Sequence, residues 1–296
     1  MAYILCQNGE LMSIQIITDS AADYTMDELK RRNIQCVPMS VSFGEEHYID
    51  GVTITKEMFY DKLLNSKETP KTAQPSPAEF LDKFEAAKEA GDTVIAILVS
   101  SALSGTYQTA MMAKDMADYD KIYIVDSRSA SLGIRILVDI AVNMRDQGLA
   151  ADDIISEIES LKKRIRIYAG LDTLEYLYKG GRISRGVASI GALANIKPIV
   201  TFKSEGTVEL CGKQVGIRHA IKHIAKMVDA DKPDERYPVY YLYSHDRGNV
   251  AGFIRNLEKL GFVVENPKIR EIGPTIGSHI GPDAFGIVYI SHDDIL

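Results

Sequence analysis

From one end of the chain to the other, continuous apolar runs alternate with amphipathic stretches, the pattern of helices laid over a largely parallel β-sheet. Ser13 to Thr18 predicts a first buried strand, and Thr25 with Glu28 forms a Thr-x-x-Glu capping box that starts a helix. Strand character returns from Gln35 to Phe43, followed by a polar loop over 44–51 and a helix from Lys56 to Asn65. The prolines within 70–77 (PKTAQPSP) predict an extended loop without regular structure. That loop ends as a helix start, with Ser76 at the N-cap, Pro77 in the first helical position and Glu79 three residues after the cap. Thr93 to Val99 is a continuous apolar run, as in a central parallel strand, and it breaks at Ser100-Ser101-Ala102-Leu103-Ser104-Gly105 before a helix over 106–117. A strand from Lys121 to Val125 and a long helix over 131–147 close the first half.

After an amphipathic helix over 152–164 the pattern restarts. A strand from Ile167 to Leu171 leads to two helices joined by Gly180-Gly181-Arg182. Strands follow over 196–202 and 207–210, about a Ser204-Glu205-Gly206 turn, and again over 239–243 and 288–290. The expected fold class is therefore α/β, and the restart divides the chain into 1–165 and 166–296. Length agrees with two domains, since 296 residues is about twice the usual domain size.

Composition narrows the function classes. A net charge of −7, with basic residues spread along the sequence, lacks the electrostatic footprint of a protein that holds phosphate backbones, which argues against nucleic-acid partners. No apolar run approaches the roughly 20 residues of a membrane span, and the apolar patch from Ala2 to Cys6 has no basic region before it. The expectation is a soluble, cytoplasmic protein. Cys6, Cys36 and Cys211 are too far apart for a CxxC zinc or redox site.

Hydroxyl-bearing loops that run into helix N-termini carry the strongest chemical signal, because unpaired amides and the helix dipole favour an anion there. Two occur, Thr72 to Ser76 and Ser100 to Thr106. In an open α/β sheet both fall at the carboxyl edge of the strands, where ligands bind. Helix capping accounts for Ser76. It does not account for Ser100, Ser101 and Ser104 together, because one side chain satisfies only one or two amides. The absence of GxxxxGK[ST] and GxGxxG argues against a phosphate, whereas neutral hydroxyls at a dipole end suffice for a carboxylate. GxSxG is missing as well, so a serine hydrolase stands only as a rival. His219 and His223 share a helix face without a general-base Glu between them, and they read as a solvated basic face. His279, framed by Gly277 and Gly281-Pro282, suits a tight loop near a ligand, or else a hydrogen-bonded structural role. Arg182 is either solvated or a fixed positive charge for a partner or a phosphate.

Five ordered motifs give the chain a family likeness. They are Ile17-Thr18-Asp19-Ser20, Lys71-Thr72-Ala73-Gln74-Pro75, the run from Ser100 to Tyr107, the run from Leu177 to Ile183, and the run from Ile276 to Pro282. In these, over nearly its whole length, the chain resembles the DegV family, bacterial fatty-acid-binding proteins that include the FakB components of fatty acid kinase. The resemblance implies two α/β domains, the first with a Rossmann-like, largely parallel sheet, and a long-chain fatty acid buried between them. It implies that Thr72 and Ser104 bind the carboxylate, with Ser101 beside them and His279 closing the head-group end. Arg182 matches a basic position of the kind that meets an ATP-dependent fatty acid kinase, which would make the acyl phosphate for phospholipid synthesis. By the same resemblance the carrier catalyses nothing, needs no cofactor and touches membranes at most transiently. Ala73 departs from the family, where Ser is common, and the residues before Met12 look like an extension.

Overall fold

The computed structural model describes residues 4–5, 11–184, 186 and 195–294. Four strands, β1 (Ile14–Asp19), β2 (Ile34–Val37), β6 (Thr93–Leu98) and β7 (Ile122–Asp126), form a wholly parallel sheet in the order β2-β1-β6-β7. Helices α3 (Pro77–Ala90) and α4 (Thr106–Ala117) cover one face, packing Phe80, Phe84, Ala110 and Ala113 on Ile17, Val94, Ala96 and Leu98. Both predicted capping boxes are present: Glu28 closes on Thr25 at the head of α1 (Met26–Arg31), and Glu79 on Ser76 at the head of α3.

Helix α5 (Leu132–Asp146) covers the other face. Every residue from Leu132 to Val142 is buried, because a second sheet packs on its far side. A helix buried on every side belongs in a protein's interior, and here it is the shared wall of two sheets, with Arg135 and Asp139 among its buried residues. After α6 (Ala151–Leu161), the second sheet runs β10-β9-β8-β13-β11-β12, built from β8 (Ile165–Gly170), β9 (Ile196–Phe202), β10 (Val208–Val215), β11 (Tyr240–Tyr243), β12 (Lys268–Glu271) and β13 (Phe285–Ile290). Its strands pair antiparallel except β11 with β12. Helices α8 (Ile217–Ala230) and α9 (Gly248–Lys259) lie on its outer face over Tyr241, Phe285 and Ile287.

Four local expectations change. The single strand predicted from Gln35 to Phe43 breaks at Pro38, which has no N–H for the ladder. Its second half, β3 (Ser40–Phe43), leaves the parallel sheet. It pairs antiparallel with β4 (Glu46–Ile49), across a turn with Gly44 at φ +57°, and with β5 (Lys71–Ala73). Hence 44–51 is a hairpin, not a loop, and the segment 70–77 holds a short edge strand in which Thr72 lies opposite Val41. Finally, the loop expected around His279 is a two-turn helix, α10 (Pro274–Ile280), with Pro274 in its first turn and Gly281 ending it at φ +73°. This helix packs on α2 (Lys56–Asn65) and on α7 (Glu175–Lys179), which precedes Gly180. The second helix expected after Arg182 falls mostly outside the described residues.

Candidate functional site

All four loops at the carboxyl edge of the parallel sheet open on one cavity. Ala21 follows β1, Met39 follows β2, Val99, Leu103 and Ser104 follow β6, and Ala130 and Ser131 follow β7. Opposite them the second sheet presents Ile167 and Ala169 of β8, Val200 and Phe202 of β9, Val208 of β10 and Leu242 of β11. Thr275, Ile276, His279 and Ile280 of α10 roof the space, which measures about 860 Å³ with its mouth included. The walls are overwhelmingly apolar. Ala130, Ala169, Leu171 and Ile272 are buried, whereas Thr72, Ser104, Arg182 and His279 are only partly so, which sets the polar groups toward solvent.

Strand β5 carries Thr72 to this polar end, where its Oγ1 lies 2.9 Å from His279 Nε2. Ser104 closes a tight turn after β6, its N–H donating to the Ser100 carbonyl at 3.1 Å, and its hydroxyl shares a hydrogen bond with Thr106 Oγ1 at 2.8 Å. The His279 ring approaches Gly180 so closely that a Cβ there would run into Nδ1 and Cε1, a close approach that glycine alone permits. His279 Nδ1 is buried and has no hydrogen-bond partner among the described residues. Burial, with the Arg182 charge second, lowers its pKa from 6.5 to about 4, so the imidazole is neutral at neutral pH.

Arg182, expected to face a partner, is half-buried. It lines the cavity, with Nε donating to the Leu103 carbonyl at 3.0 Å and Nη1 to the Gly180 carbonyl. Burial lowers its pKa, yet a guanidinium stays protonated, so the head of the cavity holds one fixed cation. The Gly180-Gly181-Arg182 turn, with Gly181 at φ +75°, is what turns the side chain inward. Ser101 is not part of the lining: its hydroxyl donates to Asp126 Oδ2 at 2.5 Å and its N–H to Oδ1 at 3.2 Å. A serine spoken for by a carboxylate is poorly placed to meet another anion. Ser100 is likewise structural, donating to the Gly206 carbonyl at 2.9 Å and so pinning the β9–β10 turn to the first sheet.

Ser131 and Thr275, which the sequence reading passed over, add hydroxyls deeper in the wall, each donating at 2.5 Å to a buried carboxylate, Asp23 and Asp50 respectively. Their only signal in the sequence was position, just after a predicted strand and within a Gly/Pro-rich stretch. The remaining histidine pair is engaged locally, His219 Nδ1 with the Val215 carbonyl and His223 Nδ1 with the Gln214 amide. Among the described residues no cluster of His, Cys, Asp or Glu could hold a metal ion, and no helix is long and apolar enough to cross a membrane.

The family model for DegV proteins matches residues 13–292. The chain belongs to the DegV family. A DegV domain-containing protein of Caldanaerobacter subterraneus subsp. tengcongensis is 36% identical over 276 residues, 93% of this chain and 98% of the relative. One from Staphylococcus aureus is 32% identical over 278 residues, with the same shares covered. Among solved structures, a fatty-acid-binding DegV family protein from Thermus thermophilus superposes with a TM-score of 0.85 at 32% identity, covering 95% of this chain and 100% of its own. DegV from Bacillus subtilis, a fatty-acid-binding protein, gives 0.81 at 30%, covering 95% and 99%. A stearic-acid-binding protein from Eubacterium ventriosum gives 0.84 at 28%, covering 94% and 98%.

Proposed function

We propose that this DegV protein is a carrier that buries a long-chain fatty acid in the cavity between its two sheets and holds the carboxylate at Thr72, Ser104, His279 and Arg182. The observation that carries the reading is the cavity itself, apolar over most of its wall, with Thr72, Ser104, Arg182 and His279 at its half-buried end. Each methylene removed from water contributes roughly 0.8 kcal/mol, so the tail supplies most of the affinity. The head group sets direction. Relatives that bind fatty acids, one of them stearic acid, support the same ligand class. On this reading residues 1–165 supply the carboxylate-binding loops and residues 166–296 cover the acyl chain.

A carboxylate kept at the mouth is accessible to a separate ATP-dependent kinase in the cytoplasm, which would convert it to the acyl phosphate. Arg182 then acts first on the carboxylate and meets the kinase only beside it. Native mass spectrometry of the purified protein tests the carrier: a non-covalent mass in the fatty-acid range is expected, and an empty protein that takes up no added fatty acid would overturn it. Acyl phosphate formed from ATP only when the kinase is added is the expected result for the second step. Acyl phosphate made by this chain alone would refute the division of labour.

A further inference from the structure

One turn in the cavity wall lies outside the head-group site. Between β7 and α5 the chain reverses through residues 127–131, and Ser131 ends the turn at φ 55°, ψ −131°. A residue with a Cβ is strained there, and such strain persists only where the surroundings impose it. A sharp strand-to-helix turn with a strained serine at its apex is the arrangement that exposes a nucleophile above an α/β sheet. That arrangement needs small residues two positions to either side. Ser129 and Gly133 occupy them, and a Cβ on Gly133 would run into Ser129 Oγ and Ile167 Cδ1. With serine in place of the first glycine, the motif escapes a search for GxSxG.

Ser131 lines the acyl cavity and its hydroxyl donates to Asp23 Oδ2 at 2.5 Å. Asp23 is 2% exposed, sits in a left-handed turn at φ 58°, and its other oxygen accepts the Gly273 N–H at 2.8 Å. The carboxylate is therefore fixed in place, and burial, opposed chiefly by Lys56, raises its pKa. Leu132, the residue after the serine, is the first of α5, the chain position from which such a turn supplies an oxyanion donor.

We infer that Ser131, with Asp23 as its base, is an acyl-accepting nucleophile able to cleave esters of long-chain fatty acids. Asp23 takes the hydroxyl proton as Oγ attacks the ester carbonyl carbon. The tetrahedral adduct collapses by breaking the bond to the leaving alkoxide, which leaves with the proton from Asp23. Water, deprotonated by the same carboxylate, then attacks acyl-Ser131, and Oγ recovers its proton as the fatty acid is released. This activity goes beyond the carrier reading and depends on none of Thr72, Ser104 or Arg182.

Delipidated full-length protein incubated with a long-chain alkyl fluorophosphonate should gain one covalent adduct, mapped to Ser131 by peptide mass spectrometry. Ser131→Ala should abolish it and lower turnover of p-nitrophenyl palmitate on the order of 100-fold. Ser131→Gly, which relieves the backbone strain as it removes the hydroxyl, should keep the parent's circular dichroism spectrum and still fail to react, separating lost chemistry from lost fold. No adduct on Ser131 in folded protein, or ester turnover unchanged in Ser131→Ala, would overturn the assignment. Failure of native mass spectrometry to find a bound fatty acid would count against the carrier and leave this labelling result to be read by itself.

Discussion

At the scale of single residues, Thr72 and His279 are 207 positions apart and meet at 2.9 Å, so no spacing rule could have joined them. What was legible was chemistry: hydroxyls in excess of capping need, next to strands whose carboxyl ends gather ligands. Removing one hydrogen bond to a charged group costs about 1.5–3 kcal/mol. Thr72→Ala or Ser104→Ala is accordingly expected to weaken fatty-acid retention about tenfold or more, measured by competition with a fluorescent acyl probe, with the melting temperature little changed. The fate of Ser101 was not legible, because its partner Asp126 lies on another strand. Ser101→Ala should leave retention unaltered. His279 sets a pH dependence of stability. Below pH 6.5 the unfolded chain accepts a proton that the folded ring refuses until about 4, so His279 costs stability as the pH falls through that window. Asp19 works in the opposite sense: burial raises its pKa from 3.8 to about 7, so its contribution is full at low pH and is lost as pH rises through 7. Denaturant melts of His279→Gln and the parent protein at pH 7.5 and pH 5 isolate the first effect. The parent should lose more on acidification than the variant, and equal losses would contradict the neutral imidazole.

At the scale of elements, the helices and the buried strands followed from periodicity and capping, and α2 and α4 begin and end where the pattern placed them. What escaped was the three-stranded antiparallel sheet. Its strands are three or four residues long and β5 is bracketed by Pro70 and Pro75, so proline outweighed any strand signal in so short a segment. Yet β5 is what brings Thr72 to the cavity. The second sheet was read as another α/β cycle because burial on both faces makes its central strands apolar but for Arg166, as parallel strands usually are. Helix α10 was hidden for a different reason: glycine and proline within 273–282 argued for a loop, although Pro274 merely starts the helix and Gly281 ends it. The approach of α7 to α10 depends on Gly180, since any side chain there meets the His279 ring. Gly180→Ala should therefore reduce fatty-acid retention by displacing His279, while leaving the circular dichroism spectrum and most of the stability intact. Retention equal to the parent would show that the ring's position does not matter for binding.

At the scale of the molecule, the two α/β units share one core. One apolar cluster contains Ile16 and Ile95 of the first sheet, Ile134 and Val138 of α5, and Ile165, Val288 and Ile290 of the second sheet. Polar groups repeat the connection at Asp139 of α5, a side chain 4% exposed. It accepts from Tyr24 at 2.6 Å and from Arg32 on the side of the first sheet, and from Tyr240 of the second. Lys268 of β12 adds a cation 3.9 Å away. A cavity whose walls come from both sheets needs them held in fixed relation, and α5 with Asp139 supplies that constraint. Removing one partner of a buried ionic network costs about 3–5 kcal/mol, because the groups left behind keep their desolvation without their compensation. With a shift of roughly 2–4 °C per kcal/mol in chains of this size, Asp139→Ala should lower the melting temperature on the order of 10 °C. Because the core is continuous, both parent and variant should unfold in calorimetry as one transition with equal calorimetric and van't Hoff enthalpies. Two resolved transitions in the parent would mean that the sheets are independent domains joined by a liganded seam, and the cavity would then owe its shape to the ligand instead of to α5.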